Sequence, residues 1–296
     1  LKTPNRLKDG CGPNISIMKE MLNYKIDLLF TLDCGTASFG ILDQSTYKRI
    51  DTIVIDHHIT EHKLPQVFSI INPNRFDENS LFKDLAAVGV TFLFLLALRK
   101  HLRENQYFKI HNITEPNLLS LLDLVALGTV CDVVNFKNYN RALIKKGIEI
   151  IHKRTSKGIT KMIDNSKINQ SPTVSDLGYI IGPQLNAASR IDDSTLPSKI
   201  LISEDIIEIE SIARKLFVLN EKRKLIEINV YEKAIDQIDN QSTNNIIIVK
   251  GKKWHHGVLG IVASKIVEKF NKPTIVISYN NNYGIGSARS IPNIDL

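Results

Sequence analysis

The segment that most constrains the fold is a short β-branched run, Ile50 to Ile55, which reads Ile-Asp-Thr-Ile-Val-Ile. Its length and its content of Ile and Val predict an interior strand of a parallel sheet. The next three residues are Asp56, His57 and His58. Residues just past the carboxyl end of such a strand lie in the crevice where open α/β sheets bind ligands. These side chains therefore predict a divalent metal site that supports hydrolysis, with a polar surface turn as the alternative.

Two more aspartates follow apolar segments in a similar way. A predicted strand over Asp27 to Leu32 ends at Asp33, and Asp132 follows the apolar segment Leu124 to Val130. If the strands belong to one parallel sheet, Asp33 and Asp56 emerge at the same edge. Each aspartate alone could equally cap a helix. Together with the two histidines they offer the mixed oxygen and nitrogen ligands expected for Mn²⁺, with Mg²⁺ as the alternative.

The length and the periodicity of the chain predict two α/β domains. A chain of 296 residues exceeds the usual single-domain size. A long helix is predicted over Glu204 to Ile238 by its apolar stripe, and the polar stretch Asn240 to Asn245 breaks the pattern. We therefore expect a mainly parallel-sheet domain over residues 1–203, a long connecting helix over 204–240 and a smaller α/β domain over 241–296.

The other predicted elements follow from hydrophobic periodicity. A third strand is expected over Gln66 to Ile71, and a loop is expected at Ser156 to Gly158. The remaining predictions are helices over Leu85 to Leu102, Asn117 to Val130, Arg141 to His152 and Val258 to Phe270, and strands over Ile246 to Val249 and Thr274 to Ile277.

The charge, the apolar stretches and the cysteines favour some classes of protein over others. The net charge of +7 favours an anionic partner such as nucleic acid. The apolar stretches fall short of the roughly 20 residues that a membrane span needs, and we expect no secretory leader. The cysteines, Cys11, Cys34 and Cys131, show no CxxC spacing, which favours free thiols in the cytoplasm over disulfides or a zinc site. Because the chain begins with Leu1 rather than Met and ends abruptly at Asp295-Leu296, we expect it to be incomplete at both ends.

Six segments in order resemble the DHH phosphoesterases and, within that family, the RecJ-type exonucleases that degrade single-stranded DNA from 5′ to 3′. The resemblance begins at Pro4-Asn5-Arg6 and covers nearly the whole chain. The last two segments resemble the DHHA1 domain that accompanies the DHH domain. The six segments are Asp33-Cys34-Gly35, Asp56-His57-His58, Gly128 to Asp132, Gly182 to Arg190, Trp254 to Val258 and Gly284 to Ser290.

The resemblance implies roles for five residues of the first three segments. Asp33, His57 and Asp132 would bind the metal directly, at a site that holds two ions in the complete family member. His58 would act as a catalytic residue that orients the site or touches the scissile phosphate. Asp56 would support it without touching the metal, which is physically reasonable for a carboxylate that fixes a histidine. The implied reaction is phosphodiester hydrolysis that releases 5′-mononucleotides.

The resemblance also implies a site for the 5′-phosphate of the strand. Arginine forks and backbone N–H groups in glycine turns suit a terminal phosphate. For Arg190 the alternative is an ion pair with Asp192 or Asp193, and for Gly284 to Ser290 it is an ordinary β-hairpin. Trp254 could stack on a base or pack in a core. The residues expected to bind nucleic acid are Arg6, Asn186, Arg190, His255, Ser287 and Arg289.

One departure from the family pattern argues against full nuclease activity of this polypeptide. The family's first motif, an aspartate-rich segment, has no counterpart in Leu1 to Gly12, where Asp9 stands alone. The family's OB-type domain is absent too. We therefore expect this polypeptide alone to bind metal poorly and to have little nuclease activity. The alternatives are a DHH phosphodiesterase acting on oligonucleotides or cyclic dinucleotides, and a non-catalytic DNA-binding remnant. A role in DNA repair and recombination is implied, and any repair-protein partners are unknown.

Overall fold

A computed structural model describes residues 1–4, 10, 12–43, 50–60, 62–168, 171–238, 245–281 and 283–294. The chain divides into two compact units. Among the described residues, unit 1 comprises those within Leu1–Pro4, Lys8–Pro183 and Ser198–Ala213, and unit 2 comprises those within Gln184–Pro197 and Arg214–Leu296. The predicted α/β class is confirmed, and the predicted domain limits at 203 and 240 stay a prediction.

Unit 1 contains a three-stranded parallel sheet. Its strands are β1 (Leu28–Leu32), β2 (Asp51–Ile55) and β3 (Ser69–Ile71), in the order β1-β2-β3. Leu32 pairs with Ile55, and Ile55 pairs with Ile71, so the three strands end side by side. Val54 and Ile55 are fully buried, as expected for an interior parallel strand. The three predicted strands are confirmed, with β3 shorter than predicted.

The helices of the first half cover this sheet and pack on one another. The helix that contains Gly147 packs very closely on the helix that contains Leu122 and Ala126. A Cβ at Gly147 would collide with the Leu122 carbonyl and with Ala126. The helices are α1 (Ile15–Asn23), α2 (Ala87–Glu104), α3 (Tyr107–Ile110), α4 (Leu122–Cys131), which follows a 3₁₀ turn at Leu118–Leu121, and α5 (Asn138–His152).

One predicted loop is helical. The Ser156 side chain accepts a hydrogen bond from the Ile159 N–H at 3.5 Å and caps α6 (Lys157–Asn165). Gly158 lies inside this helix, and a Cβ there would collide with the Ile200 carbonyl. The loop prediction for Ser156 to Gly158 is wrong because a glycine that normally breaks helices here permits a close contact with a distant segment.

The long helix predicted after residue 204 is confirmed as α10 (Ile206–Ile235). Three shorter helices precede it: α7 (Val174–Asp176), α8 (Gly182–Ile191) and α9 (Leu196–Ile202), with a π-helical turn at Leu177–Ile181 between the first two. Within the described residues, no helix has the length and the apolar character that crossing a membrane requires.

Unit 2 contains a second three-stranded sheet. Its strands are β4 (Ile247–Lys252), β5 (Thr274–Tyr279) and β6 (Gly284–Arg289), with β4 and β5 parallel and β5 and β6 antiparallel. Helix α11 (His256–Phe270) connects β4 to β5. Its apolar face packs with the C-terminal part of α10 around a core that includes Val230, Val258 and Trp254. The strand and helix predictions for this region are confirmed.

Candidate functional site

Unit 1 brings three polar segments to the carboxyl edge of its sheet. Asp33 directly follows β1 in a left-handed conformation with φ 61°, and its N–H donates to the Ile55 carbonyl at 3.0 Å. The segment Asp56-His57-His58 follows β2, and Asp132 ends α4. The left-handed turn after β1 directs the chain so that Asp33 faces the residues after β2.

These segments converge on His57. Its Nε2 lies 3.3 Å from Asp33 Oδ1 and 3.2 Å from Asp132 Oδ2. One ligand atom each from Asp33, His57 and His58 lies within 4.8 Å of the others. The three predicted metal ligands and the catalytic candidate His58 therefore surround one point in unit 1.

The donor set fits a divalent cation. His57 Nε2 is shielded from solvent and has no hydrogen bond of suitable geometry in the part of the chain that the structure describes. Asp33 first, and Asp132 with it, raise the pKa of the His57 imidazole against the opposing effect of burial. Burial raises the pKa of Asp132, and the neighbouring Asp33 carboxylate raises it further. A cation held by one imidazole and two carboxylates would compensate these charges, and Mn²⁺ accepts such ligands readily.

Asp56 is the hydrogen-bond centre of the same loop. One carboxylate oxygen accepts hydrogen bonds from the Thr36 N–H at 3.1 Å and the Thr36 hydroxyl at 2.8 Å. The other accepts from the His57 N–H at 2.8 Å and lies 2.7 Å from His58 Nδ1. Burial raises the pKa of Asp56, but these hydrogen bonds, from His58 first, outweigh it and lower the pKa. Both oxygens are therefore engaged in holding the loop, which suits a supporting residue better than a metal ligand.

A glycine makes the approach of Asp33 possible. Gly35 adopts φ +115°, and a Cβ there would lie 2.6 Å from Thr31 Oγ1 and 3.2 Å from Val54 Cγ1. Only glycine fits both the conformation and the space. The turn therefore passes close over the sheet, and it carries Thr36 to Asp56.

Two asparagines that the sequence reasoning missed fix the backbone of the histidine pair. Asn72 Nδ2 donates to the His58 carbonyl at 2.9 Å and to Thr36 Oγ1 at 3.1 Å. Asn74 Nδ2 donates to the His57 carbonyl at 2.6 Å and to the Lys83 carbonyl at 3.0 Å. Asn72 directly follows β3, so the rule that identified Asp33 and Asp56 at strand ends would have found it. We call Asn72 and Asn74 the asparagine clamp.

Unit 2 gathers another set of predicted residues along α11. Arg190 Nη1 donates to the Gly257 carbonyl at 3.1 Å. A Cβ on Gly260 would lie 3.0 Å from Ser287 Oγ and 3.2 Å from Arg289 Nη2. Because Gly257 and Gly260 are one turn apart, both arginines and the serine lie against the first turns of this helix. Two guanidinium groups beside a helix N-terminus form a surface that suits a phosphate.

For the other three residues predicted to bind nucleic acid, the structure gives less support. Asn186 is exposed on α8, and its carbonyl accepts from Ser189 Oγ at 3.0 Å. His255 caps α11 by accepting the Gly257 N–H on Nδ1 at 3.1 Å. Arg6 lies outside the described residues.

Two of the alternatives are also resolved by the structure. Trp254 packs in the core of unit 2, with its ring against Gly251, so stacking of its ring on a base is wrong. The segment Gly284–Arg289 is an antiparallel strand, as the hairpin alternative predicts, and it still carries Ser287 and Arg289 toward α11. Of the two aspartates named as alternative partners of Arg190, Asp192 forms an ion pair with Lys215 at 3.0 Å.

The comparisons with known proteins agree with the resemblance. Residues 3–129 match the family described as DHH family, N-terminal domain. The single-stranded-DNA-specific exonuclease RecJ of Dickeya dadantii is 37% identical over 302 residues, which cover 99% of this chain and 52% of the relative. This chain thus spans about half the length of the curated relatives it matches.

Solved structures show the same likeness. A crystal structure of exonuclease RecJ bound to manganese superposes with a TM-score of 0.82 at 27% identity, covering 98% of this chain and 70% of that chain. A structure of RecJ from Thermus thermophilus in complex with Mg²⁺ gives a TM-score of 0.69 at 27% identity, covering 90% and 36% of the two chains. The predicted resemblance to RecJ-type proteins is confirmed.

Proposed function

Since residues 3–129 carry a DHH family domain and the chain is similar to RecJ exonucleases over 99% of its length, we propose a single-stranded-DNA-specific 5′→3′ exonuclease function. The reaction is hydrolysis of phosphodiester bonds with Mn²⁺, or with Mg²⁺, as the cofactor. The observation that carries the proposal is the convergence of Asp33, His57 and Asp132 on one point. A cytoplasmic location and a role in DNA repair and recombination belong to the same proposal, which the DNA substrate of the relatives supports.

Each residue of the unit 1 site has a task in this proposal. Asp33, His57 and Asp132 would hold the metal, which would supply the Lewis acid chemistry that activates water and neutralises charge on the phosphoryl group. His58 faces the same point, and the hydrogen bond between its Nδ1 and Asp56 fixes the orientation of the ring. A ring held in that way presents Nε2 to the scissile phosphate.

The residues along α11 suit the end of the strand. Arg190, Ser287 and Arg289 supply the charge and the hydrogen-bond donors for a terminal phosphate, and Asn186, His255 and Arg6 are assigned to the same nucleic-acid surface. Selection of a 5′-phosphate would set the direction of digestion, because only one end of the strand carries it. The Arg190 contact with Gly257 and the Arg289 position beside Gly260 support this assignment.

The test is a digestion assay on the longest natural polypeptide that contains this chain. We expect release of 5′-mononucleotides from single-stranded DNA in Mn²⁺, and little cleavage of blunt duplexes. Asp132→Asn keeps the size of the side chain and should reduce the rate at least a hundredfold, while Asp43→Asn, at a half-buried aspartate outside the site, should not. Equal or faster cleavage of dinucleotides or cyclic dinucleotides would favour the small-substrate alternative. Salt-dependent binding without cleavage would favour a non-catalytic remnant.

A further inference from the structure

Unit 2 has a cavity that the proposed phosphate cluster does not use. Its volume is about 340 Å³, and its lining includes Lys253, His255, His256, Tyr279 and Tyr283. Arg190, Ser287 and Arg289 do not line it. The volume falls in the range of small-ligand pockets, roughly 300–1,000 Å³.

The cavity lies where an α/β sheet takes ligands. Lys252 and Tyr279 form the last pair of the parallel ladder between β4 and β5. The Lys253 N–H then donates to the Tyr279 carbonyl at 3.0 Å, so the two strands leave the sheet together. The cavity opens just beyond this pair, at the carboxyl ends of two parallel strands.

A hydrogen bond joins the two segments that line the cavity. Trp254 is buried in the core of unit 2, and its carbonyl accepts a hydrogen bond from the buried Ser278 hydroxyl at 2.7 Å. This bond ties the loop after β4 to the end of β5. The side chains that line the cavity are therefore carried by two segments that are joined to each other.

The charge of the lining favours an anion. Lys253 contributes a cation, His255 and His256 contribute imidazoles, and none of the described lining residues is acidic. His255 Nδ1 accepts the Gly257 N–H at 3.1 Å, so the neutral ring carries its proton on Nε2 and can donate there. Burial, with the nearby His256 and Lys222, lowers the pKa of His255 and keeps the ring neutral.

Two tyrosines add aromatic surface beside this charge. Tyr279 is 40% exposed and Tyr283 is 61% exposed. They stand at the two ends of the turn between β5 and β6, where the Asn280 N–H donates to the Tyr283 carbonyl at 3.0 Å. Aromatic side chains next to cationic ones are the typical surface for an unpaired nucleotide.

We propose that this cavity is a nucleotide-binding subsite for one unit of single-stranded DNA. Lys253, His255 and His256 bind its phosphate, and Tyr279 and Tyr283 contact its base. The subsite rests on the proposed function for its ligand. It shares His255 with the nucleic-acid surface proposed above, but Arg190, Ser287 and Arg289, which are assigned to the terminal phosphate, do not line it.

The test is binding of a fluorescent oligo-dT to the full chain, measured by anisotropy. Tyr283→Leu should weaken binding about tenfold, in line with one lost base stack. The matched control is Tyr179→Leu, since Tyr179 is 82% exposed in unit 1 and lines no part of this cavity. Lys253→Gln should lower the dependence of binding on salt by about one ion, whereas Lys252→Gln, one residue earlier, should lower it less.

A second probe separates base contact from misfolding. On an oligonucleotide of abasic units, wild-type protein and Tyr283→Leu should bind equally, because no base is present to stack. A Tyr283→Leu defect that persists on abasic DNA would overturn the base contact. Wild-type dT affinity in both the Tyr283 and Lys253 variants would overturn the subsite.

The outcome for the subsite is distinguishable from the outcome for the exonuclease. If wild-type protein digests single-stranded DNA but the cavity variants bind dT normally, the subsite is wrong and the proposed function stands. If no digestion occurs but dT binding depends on Lys253 and Tyr283, the function is wrong and the subsite stands. Absence of any dT binding by wild-type protein overturns the subsite.

Discussion

Single residues of the unit 1 site differ in chemistry because their surroundings differ. Asp56 is almost fully buried, yet hydrogen bonds from His58 and Thr36 lower its pKa despite that burial. Asp132 has no such set of donors near it among the described residues, and burial raises its pKa. The first carboxylate is therefore committed to structure, and the second is available to a cation.

Cys131, next to Asp132, should be an unreactive thiol. Burial first, and the charge of Asp132 second, raise its pKa from 9.0 to about 11. The side chain also faces Gly182, where a Cβ would collide with the sulfur. Because the thiolate is the reactive form, a pKa of about 11 predicts alkylation at pH 8 about a hundredfold slower than for a thiol with the ordinary pKa of 9.0.

The measurement is the rate of iodoacetamide labelling of Cys131, followed by peptide mass spectrometry in native buffer. The same residue in urea is the control, and it should react at the ordinary rate. Fast native labelling would show that the thiol is neither buried nor protonated.

Asp123, in the first turn of α4, should cost stability at neutral pH. It is buried, and burial raises its pKa, although the Leu124 N–H donates to it at 2.7 Å. A carboxyl whose pKa is raised in the folded state favours folding when protonated, so stability is lost as the pH rises through that pKa. Asp123→Asn keeps an acceptor for Leu124 and should raise Tm at pH 7 by roughly 2–4 °C, the effect of about 1 kcal/mol in a domain of this size.

The gain in Tm from Asp123→Asn should shrink as the pH falls, because the wild-type carboxyl then becomes protonated. Thermal unfolding at pH 7 and at the most acidic pH where both proteins stay folded checks this. A gain that is equal at both values, or a loss at pH 7, would contradict the argument.

At the scale of elements, three parallel strands end at one edge and each delivers part of the site. β1 delivers Asp33, β2 delivers the histidine pair, and β3 delivers the asparagine clamp. Because backbone pairing fixes the register of the three strands, the backbone sets the distances between these parts of the site. The clamp then fixes the backbone of the loop, since its two amides take the carbonyls of His57 and His58.

Removal of the asparagine clamp should lower the affinity for metal more than it lowers the stability of the fold. In Asn72→Ala the His58 carbonyl and the Thr36 hydroxyl each lose a donor, so the loop can shift away from Asp33. We expect Mn²⁺ affinity, measured by electron paramagnetic resonance, to fall about tenfold, as is typical for supporting residues of metal sites.

The matched control for Asn72→Ala is Asn79→Ala, a nearby exposed asparagine outside the clamp, which should leave Mn²⁺ affinity unchanged. Circular dichroism verifies that both variants fold. An unchanged affinity in folded Asn72→Ala would show that the clamp does not position the ligands.

At the scale of the whole molecule, the described residues set a limit on metal binding. The unit 1 site supplies two carboxylates, from Asp33 and Asp132, and two imidazoles. Hard divalent cations prefer about six ligands each, mostly oxygen, so these groups hold two ions poorly. We infer that further oxygen ligands are needed for a tight two-ion site.

Residues 1–296 alone should therefore bind Mn²⁺ weakly. Isothermal titration of this polypeptide is expected to show weak binding of about one ion, lost in His57→Ala because Nε2 lies between both carboxylates. His62→Ala, a histidine outside the site, is the control. Two tight Mn²⁺ sites in the wild-type polypeptide would refute the argument from ligand number.

The sequence alone predicted five of the six described strands, the long helix and the polar residues that follow β1 and β2. It could do so because β-branched runs, helical periodicity and polar residues after a strand are local patterns that burial imposes. For Trp254 the sequence allowed two predictions, packing in a core and stacking on a base.

The tertiary structure decided the contacts between segments that are far apart in the chain. Gly158 lies in a helix because the backbone of Ile200 needs its space, and Trp254 packs because Gly251 leaves room for its ring. Asn72 reaches back to His58, and Arg190 to Gly257, for the same kind of reason. Such contacts depend on which segments the fold brings together, and no local pattern encodes that choice.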